Sequence, residues 1–155
     1  MSRCKISWRQ LVVVGAVCLL AACSQLQSQP HAVVSNPPPV APGPNATWYT
    51  VEFDSNSFAI DSKGRAVIND VAAYLRQHPG TLATIIGRTD TVGSPDYNMH
   101  LSHQRADAVR DALVYNGNVA ADRVETRWTG ETRQRVATAS NVSNDSNRVV
   151  DIAIH

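Results

Sequence analysis

The chain predicts a two-layer α/β sandwich, β-α-β-α-β-β in order, with both helices packed on one face of a mixed four-stranded sheet. Two stretches carry apolar residues at helical spacing, and they alternate with short runs of aromatic and β-branched residues. The strand-to-strand crossovers are long enough for parallel or once-removed pairs, and the last two runs are joined by a loop of some 20 residues. At 155 residues the chain holds one domain of ordinary size. A formal net charge of +1 with 17% charged residues argues against a nucleic-acid partner, which calls for clustered basic excess.

Residues 1–22 read as a signal peptide. Arg3, Lys5 and Arg9 precede an apolar run from Leu11 to Ala22. That run is shorter than the about 20 residues a bilayer span requires, so an uncleaved membrane helix fits less well. It ends in Leu20-Ala21-Ala22-Cys23, which resembles a bacterial lipobox and makes Cys23 the expected lipidated first residue. Cys4 and Cys18 leave with the leader, so the mature chain has one cysteine and no internal disulfide. Its formal charge falls to −2, with 11 Lys and Arg against 13 Asp and Glu. Ser24 follows the cysteine, which by the usual sorting of bacterial lipoproteins points to the outer membrane.

Residues 23–46 read as the lipidated cysteine and a tether. From Ser24 to Ala46 there are six prolines and no Lys, Arg, Asp or Glu, a composition that builds no core. Such a tether spans roughly 25 Å as a flexible coil and at most about 70 Å when extended.

Residues 47–155 form the predicted domain. Trp48 to Phe53 reads as the first strand. A helix follows from about Asp61, a candidate N-cap, with Val67, Ile68, Val71, Tyr74 and Leu75 at helical spacing, and His78-Pro79-Gly80 closes it. Thr81 to Gly87 reads as a buried strand. Ser94-Pro95-Asp96 opens the second helix with a capping hydroxyl, a proline where the N–H is free anyway, and an anion at the positive end. That helix runs to about Asn116-Gly117. Arg123 to Trp128 and Arg148 to His155 supply the last two strands.

The second helix contains an anomaly. Leu101, Ala108, Val109 and Ala112 form one stripe at 100° per residue, with Arg105 in its middle and Asn98 beside it. A guanidinium does not shed its proton, so a buried one must be paired or must face a cavity that takes an anion. A structural salt bridge is the plain alternative, and loss of stability in Arg105→Ala is the sign expected of it. Asp90 lies in the turn after the second strand, where open α/β sheets place ligands. Arg105 lies about 15 Å along the helix from its start, so the two charges meet only if the loop folds back or a ligand bridges them. A ligand bearing both an ammonium and a carboxylate suits such a pair.

Residues 87–113 closely resemble the signature of OmpA-like domains, a T-D-x-x-G turn leading into Y-N-x-x-L-S-x-x-R-A-x-x-V. The matching positions are Thr89, Asp90, Gly93, Tyr97, Asn98, Leu101, Ser102, Arg105, Ala106 and Val109. The likeness extends to Phe53-Asp54, Gly130-Glu131 and Asn147-Arg148, over about residues 50 to 155. The resemblance implies a non-catalytic domain that binds the peptide stem of peptidoglycan. Asp90 would receive the ammonium of meso-diaminopimelate and Arg105 a carboxylate. Asn98 and Leu101 would shape the pocket, with Thr91, Asp54 and Arg148 contributing. No cofactor is expected. The chain departs from the pattern at Thr132-Arg133, where many relatives have a proline, at Val149, where a second arginine is common, and at Arg88, often a histidine.

Such lipoproteins anchor the outer membrane to the cell wall or serve as subunits of an envelope-spanning secretion machine, and the short chain suits both. Asp96, His100 and His103, at i, i+4 and i+7, share a helix face opposite the stripe; a metal site is geometrically open to them, a solvated polar face is the plainer reading. For a hydrolase, Ser102 and His103 point about 100° apart and make a poor nucleophile-base pair. Glu52 and Asp54 share a strand face, as surface charges commonly do.

Overall fold

The computed structural model describes residues 46–155; the leader, the lipobox and the tether up to residue 45 lie outside the described residues. Strand β1 is Thr47–Glu52, helix α1 Ser62–Gln77, β2 Ala83–Gly87, α2 Pro95–Asp111, β3 Val124–Trp128 and β4 Val149–Ile154. The expected β-α-β-α-β-β order is present, with strand and helix boundaries within two residues of the sequence reading, short helical turns aside.

The caps behave as their chemistry requires. The Asp61 carboxylate accepts from the Gly64 N–H at 2.7 Å and starts α1, and the Ser94 hydroxyl accepts from the Tyr97 N–H at 3.2 Å to start α2, with Pro95 in its first turn. Helix α1 turns Ile68, Val71, Ala72 and Leu75 inward, while Val67 and Tyr74 pack at the margin.

The sheet order is β1-β4-β2-β3. Strand β4 pairs antiparallel with both β1 and β2, and β3 runs parallel to β2. The last strand therefore slots between the first two, making the first crossover a once-removed pair and the second an adjacent one. Every residue of β4 is buried, Asp151 included. Its carboxylate meets Arg88 Nε at 2.9 Å and the Thr50 hydroxyl at 3.2 Å. The core is Val51, Ile85, Val150 and Ile152 from the sheet against Ile68, Leu75, Val109 and Leu113 from the helical layer.

Helix α2 sits slightly rotated from the expected stripe. Its buried residues are Asn98, Leu101, Ser102, Arg105, Ala106 and Val109, and Ala108 and Ala112 are only half-buried. The cause is close approach to β2. A Cβ on Gly87 would stand 2.0 Å from the Ser102 carbonyl oxygen and 3.3 Å from Ala106 Cβ, so small side chains face the strand at the contact. Beyond Asp111 the helix widens into a π-helical turn, Ala112–Asn116, closed by Gly117 N–H donating to Ala112 O at 2.9 Å, and this turn carries Leu113 into the core.

The contact at Gly87 yields a direct test. Gly87→Ala is expected to destabilise the domain at or beyond the upper end of the about 1–3 kcal/mol typical of overpacking, because the obstacle is backbone. The measurement is the urea midpoint at constant slope.

Candidate functional site

Helix α2 runs back over β2, so the chain leaving Gly87 passes beside the residues two and three turns into the helix. This brings Asp90 and Arg105 to one cavity of about 130 Å³, lined also by Ser55 and Asn56 of the β1–α1 loop, Val92 and Gly93 of the turn, and Tyr97, Asn98 and Leu101 of α2. Gly93 takes φ +103°, a backbone conformation that favours glycine. Four residues expected at the site thus share one pocket: Asp90, Asn98, Leu101 and Arg105.

Arg105 is fully buried. Its Nε donates to Ser57 O at 2.8 Å, Nη1 to Arg88 O at 3.1 Å and Nη2 to Asp54 O at 3.0 Å. The cation also lies 5.3 Å from the centre of the Phe53 ring. Among the described residues no carboxylate stands within 4.0 Å of it, so the buried salt bridge weighed from the sequence is not the arrangement found. The guanidinium is structural through neutral carbonyls, and its charge is left without a contacting anion. Three of five N–H groups are engaged, which leaves two for another acceptor. Burial pushes its pKa down to about 10, with Asp90 opposing that shift, so it remains a cation at neutral pH.

Asp90 is held on one side. Its Oδ2 accepts from Arg148 Nη1 at 3.2 Å, the Ser143 hydroxyl at 3.3 Å and the Asn144 N–H at 3.3 Å. Its Oδ1 accepts one long bond, from the Val92 N–H at 3.4 Å. Arg148 extends the network, donating through Nη2 to Asp145 at 2.6 Å and through Nε to Phe53 O at 3.2 Å.

The other expected residues divide. Asn98, 1% exposed, donates from Nδ2 to Glu131 Oε2 at 2.6 Å and so couples the helix to the loop after β3. Asp54 contributes its carbonyl to Arg105, and Asp54 and Arg148 line a separate cavity of about 220 Å³ with Glu52, Asp61, Lys63 and Asp145. Thr91 does not line the pocket: its hydroxyl donates to Ala139 O at 2.6 Å and accepts from the Val142 N–H at 3.0 Å. Arg88 differs from the family pattern only in side chain, which turns to Asp151, and the contact with Arg105 uses its carbonyl.

Tyr97 and Asn56 close one side of the cavity, the Tyr97 hydroxyl donating to Asn56 Oδ1. Neither they nor Ser143 and Asn144 were identified as site residues from the sequence. The only trace of Asn56 there is an ordinary turn signal, matching its φ of +52°. Of the metal-spaced trio, Asp96 and His100 are exposed, and His103 pairs with Asp107 at 3.1 Å and stacks on Trp128 at 3.8 Å. Among the described residues no group of three His, Cys, Asp or Glu side chains converges as a metal site. Ser102 faces the core, donating to Met99 O at 2.8 Å and accepting from Gly130 N–H at 3.0 Å.

Because three carbonyls depend on one guanidinium, Arg105→Lys is expected to cost roughly 2 kcal/mol or more: an ammonium keeps the charge but lacks the planar fork. Denaturant titration of the unliganded protein measures it. Loss of stability on altering Arg105 is thus expected whether or not the pocket takes a ligand.

A family model described as OmpA family matches residues 52–148. The probable lipoprotein YiaD of Escherichia coli K12 is 36% identical over 104 residues, 67% of this chain and 47% of its own length. Outer membrane porin F of Pseudomonas aeruginosa is also 36% identical, over 30% of its length, so the chain spans half or less of these relatives. The peptidoglycan-associated lipoprotein of Pasteurella multocida is 30% identical over 138 residues, covering 89% of this chain and 91% of that protein. A crystal structure of the peptidoglycan-associated lipoprotein from Burkholderia pseudomallei has 30% identity and a TM-score of 0.63, over 68% of this chain and 89% of that one. With the T-D-x-x-G turn and the arginine-bearing helix meeting at one cavity, and with these matches, the chain belongs to the OmpA family.

Proposed function

We propose that the domain binds peptidoglycan non-covalently through the meso-diaminopimelate of its stem peptide, without catalysis, and that lipid on Cys23 joins this contact to the outer membrane with the domain in the periplasm. One observation carries the reading: opposite charges on one cavity, each incompletely engaged. Arg105 has N–H groups to offer and no contacting anion, and Asp90 has an oxygen bearing one long bond. The free end of a diaminopimelate side chain carries an ammonium and a carboxylate on one carbon, which suits that pair.

Size supports the same ligand. About 130 Å³ is well below the about 300–1,000 Å³ of a pocket for a whole small molecule, so the cavity suits a side-chain end. The names of the relatives of comparable length point to peptidoglycan as well. A single stem binds modestly on this account, and the many stems of the polymer, with the tether holding the domain near them, raise the effective strength. Helical geometry disfavours hydrolysis, since Ser102 points to the core while His103 stacks on Trp128.

Two measurements test the reading. In sedimentation with purified sacculi, Asp90→Asn and Arg105→Lys are each expected to weaken binding roughly 10- to 150-fold, from charge-assisted hydrogen bonds of about 1.5–3 kcal/mol. Folded variants that sediment like wild type would show the pocket assignment to be wrong, and soluble fragments released from sacculi would contradict a pure binder. In thermal unfolding, a diaminopimelate tripeptide at 100 times its Kd is expected to stabilise the protein by about 2.7 kcal/mol, and the Asp90→Asn variant by far less at that same concentration.

A further inference from the structure

Asp90 and Thr91 are neighbours in sequence, and both side chains grip the same distant segment. The Thr91 hydroxyl donates to Ala139 O at 2.6 Å and accepts from the Val142 N–H at 3.0 Å, and the Thr91 carbonyl accepts from the Asn141 N–H at 2.9 Å. Immediately beyond, Ser143 and Asn144 donate to Asp90 Oδ2. The segment, residues 139–144, has no helix or strand of its own, and Asn141 takes φ +59° where it turns. Fully buried Asn147 pins the upstream part of the loop, its amide bonding both the N–H and the carbonyl of Val136 at 2.9 and 2.7 Å.

We infer that Thr91 is a positioning residue for ammonium recognition: its hydroxyl docks residues 139–144, and the docked loop orients the Asp90 carboxylate through Ser143 and Asn144. The inference rests on the proposed role of Asp90 as the ammonium acceptor. An unrestrained aspartate rotates about its two side-chain torsions. Three donors on Oδ2 restrain this one, and leave Oδ1 with a single long bond and therefore with capacity for a ligand N–H. One of these donors, Arg148, comes from the end of the same loop and also bonds the Ser143 hydroxyl at 2.9 Å, so Ser143 is fixed from both sides. Thr91 lies outside the pocket lining and does this without touching a ligand. Its loss therefore falls on the part of affinity that comes from the ammonium, sparing what Arg105 and the pocket walls contribute.

That selectivity separates positioning from general stability. The full chain carrying Thr91→Val, Thr91→Ser, Ser143→Ala or Asp90→Asn is titrated calorimetrically with two synthetic tripeptides. One ends in meso-diaminopimelate and the other in 2-aminopimelate, which keeps the distal carboxylate and lacks the distal amine. Wild type is expected to prefer the first by roughly tenfold or more. In Thr91→Val and Ser143→Ala the preference drops to below about threefold, with binding of the second peptide little changed, and Thr91→Ser restores it. Amide hydrogen exchange at Val142 and Asn144 accelerates in Thr91→Val. Preference kept at the wild-type ratio in Thr91→Val, or both peptides weakened equally, overturns the positioning role. If Thr91→Val does not fold, Ser143→Ala decides by the same ratio. Absence of preference in wild type, or its survival in Asp90→Asn, overturns the assignment of Asp90 and the positioning role with it.

Discussion

The site depends on one cation held inside the helix-sheet layer. A guanidinium on the buried face of α2 costs several kcal/mol of desolvation unless its N–H groups are engaged, and the fold engages them with three carbonyls from two separate segments, Asp54 and Ser57 before α1 and Arg88 after β2. These bonds tie both segments to the helix, alongside the sheet bonds from the Phe53 and Arg88 N–H groups to Arg148 O and Val149 O. The segments are also the walls of the cavity. The charge that would recognise a ligand therefore also organises the loop bearing Ser55 and Asn56.

The use of neutral acceptors gives this arrangement its chemical character. A carboxylate partner would satisfy Arg105 and cancel its charge, leaving little reason for an anion to enter. Carbonyl dipoles satisfy hydrogen bonds while leaving the net charge in place. Asp90, the nearby carboxylate, is drawn instead toward Arg148 and the loop after β3, with the Arg148 contact at 3.2 Å. The two charges of the pocket are thereby kept apart, each supported from behind.

A division of labour between rigid and irregular elements follows. Gly87 lets α2 lie against β2, which fixes the height of Arg105 over the strand. Asp90 instead sits in a turn and relies on a loop held by side-chain hydrogen bonds from Thr91 and Asn147. The departures from the family pattern at Thr132-Arg133 and Val149 fall in and beside that loop, whereas the Arg105 end of the pocket is built from backbone contacts that such changes leave alone.

Periodicity and caps sufficed for the elements: Asp61 and Ser94 start the helices as their spacing predicts, and the apolar stripe located the core face of each helix to within one position. Arg105 was legible as an anomaly because it breaks a pattern, and the dense signature around it pointed to Asp90 as its counterpart. What held Arg105 was not legible. Every residue carries a carbonyl, so nothing in the letters distinguishes Asp54, Ser57 and Arg88 as acceptors, and only the packing of α2 on β2 selects them. The same holds for Thr91, whose hydroxyl suits a ligand or a loop equally well until the chain beyond Thr129 is placed beside it. The insertion of β4 between β1 and β2 was likewise a tertiary decision, because strand order depends on which buried faces meet across the whole domain, and local sequence specifies only that each strand has such a face.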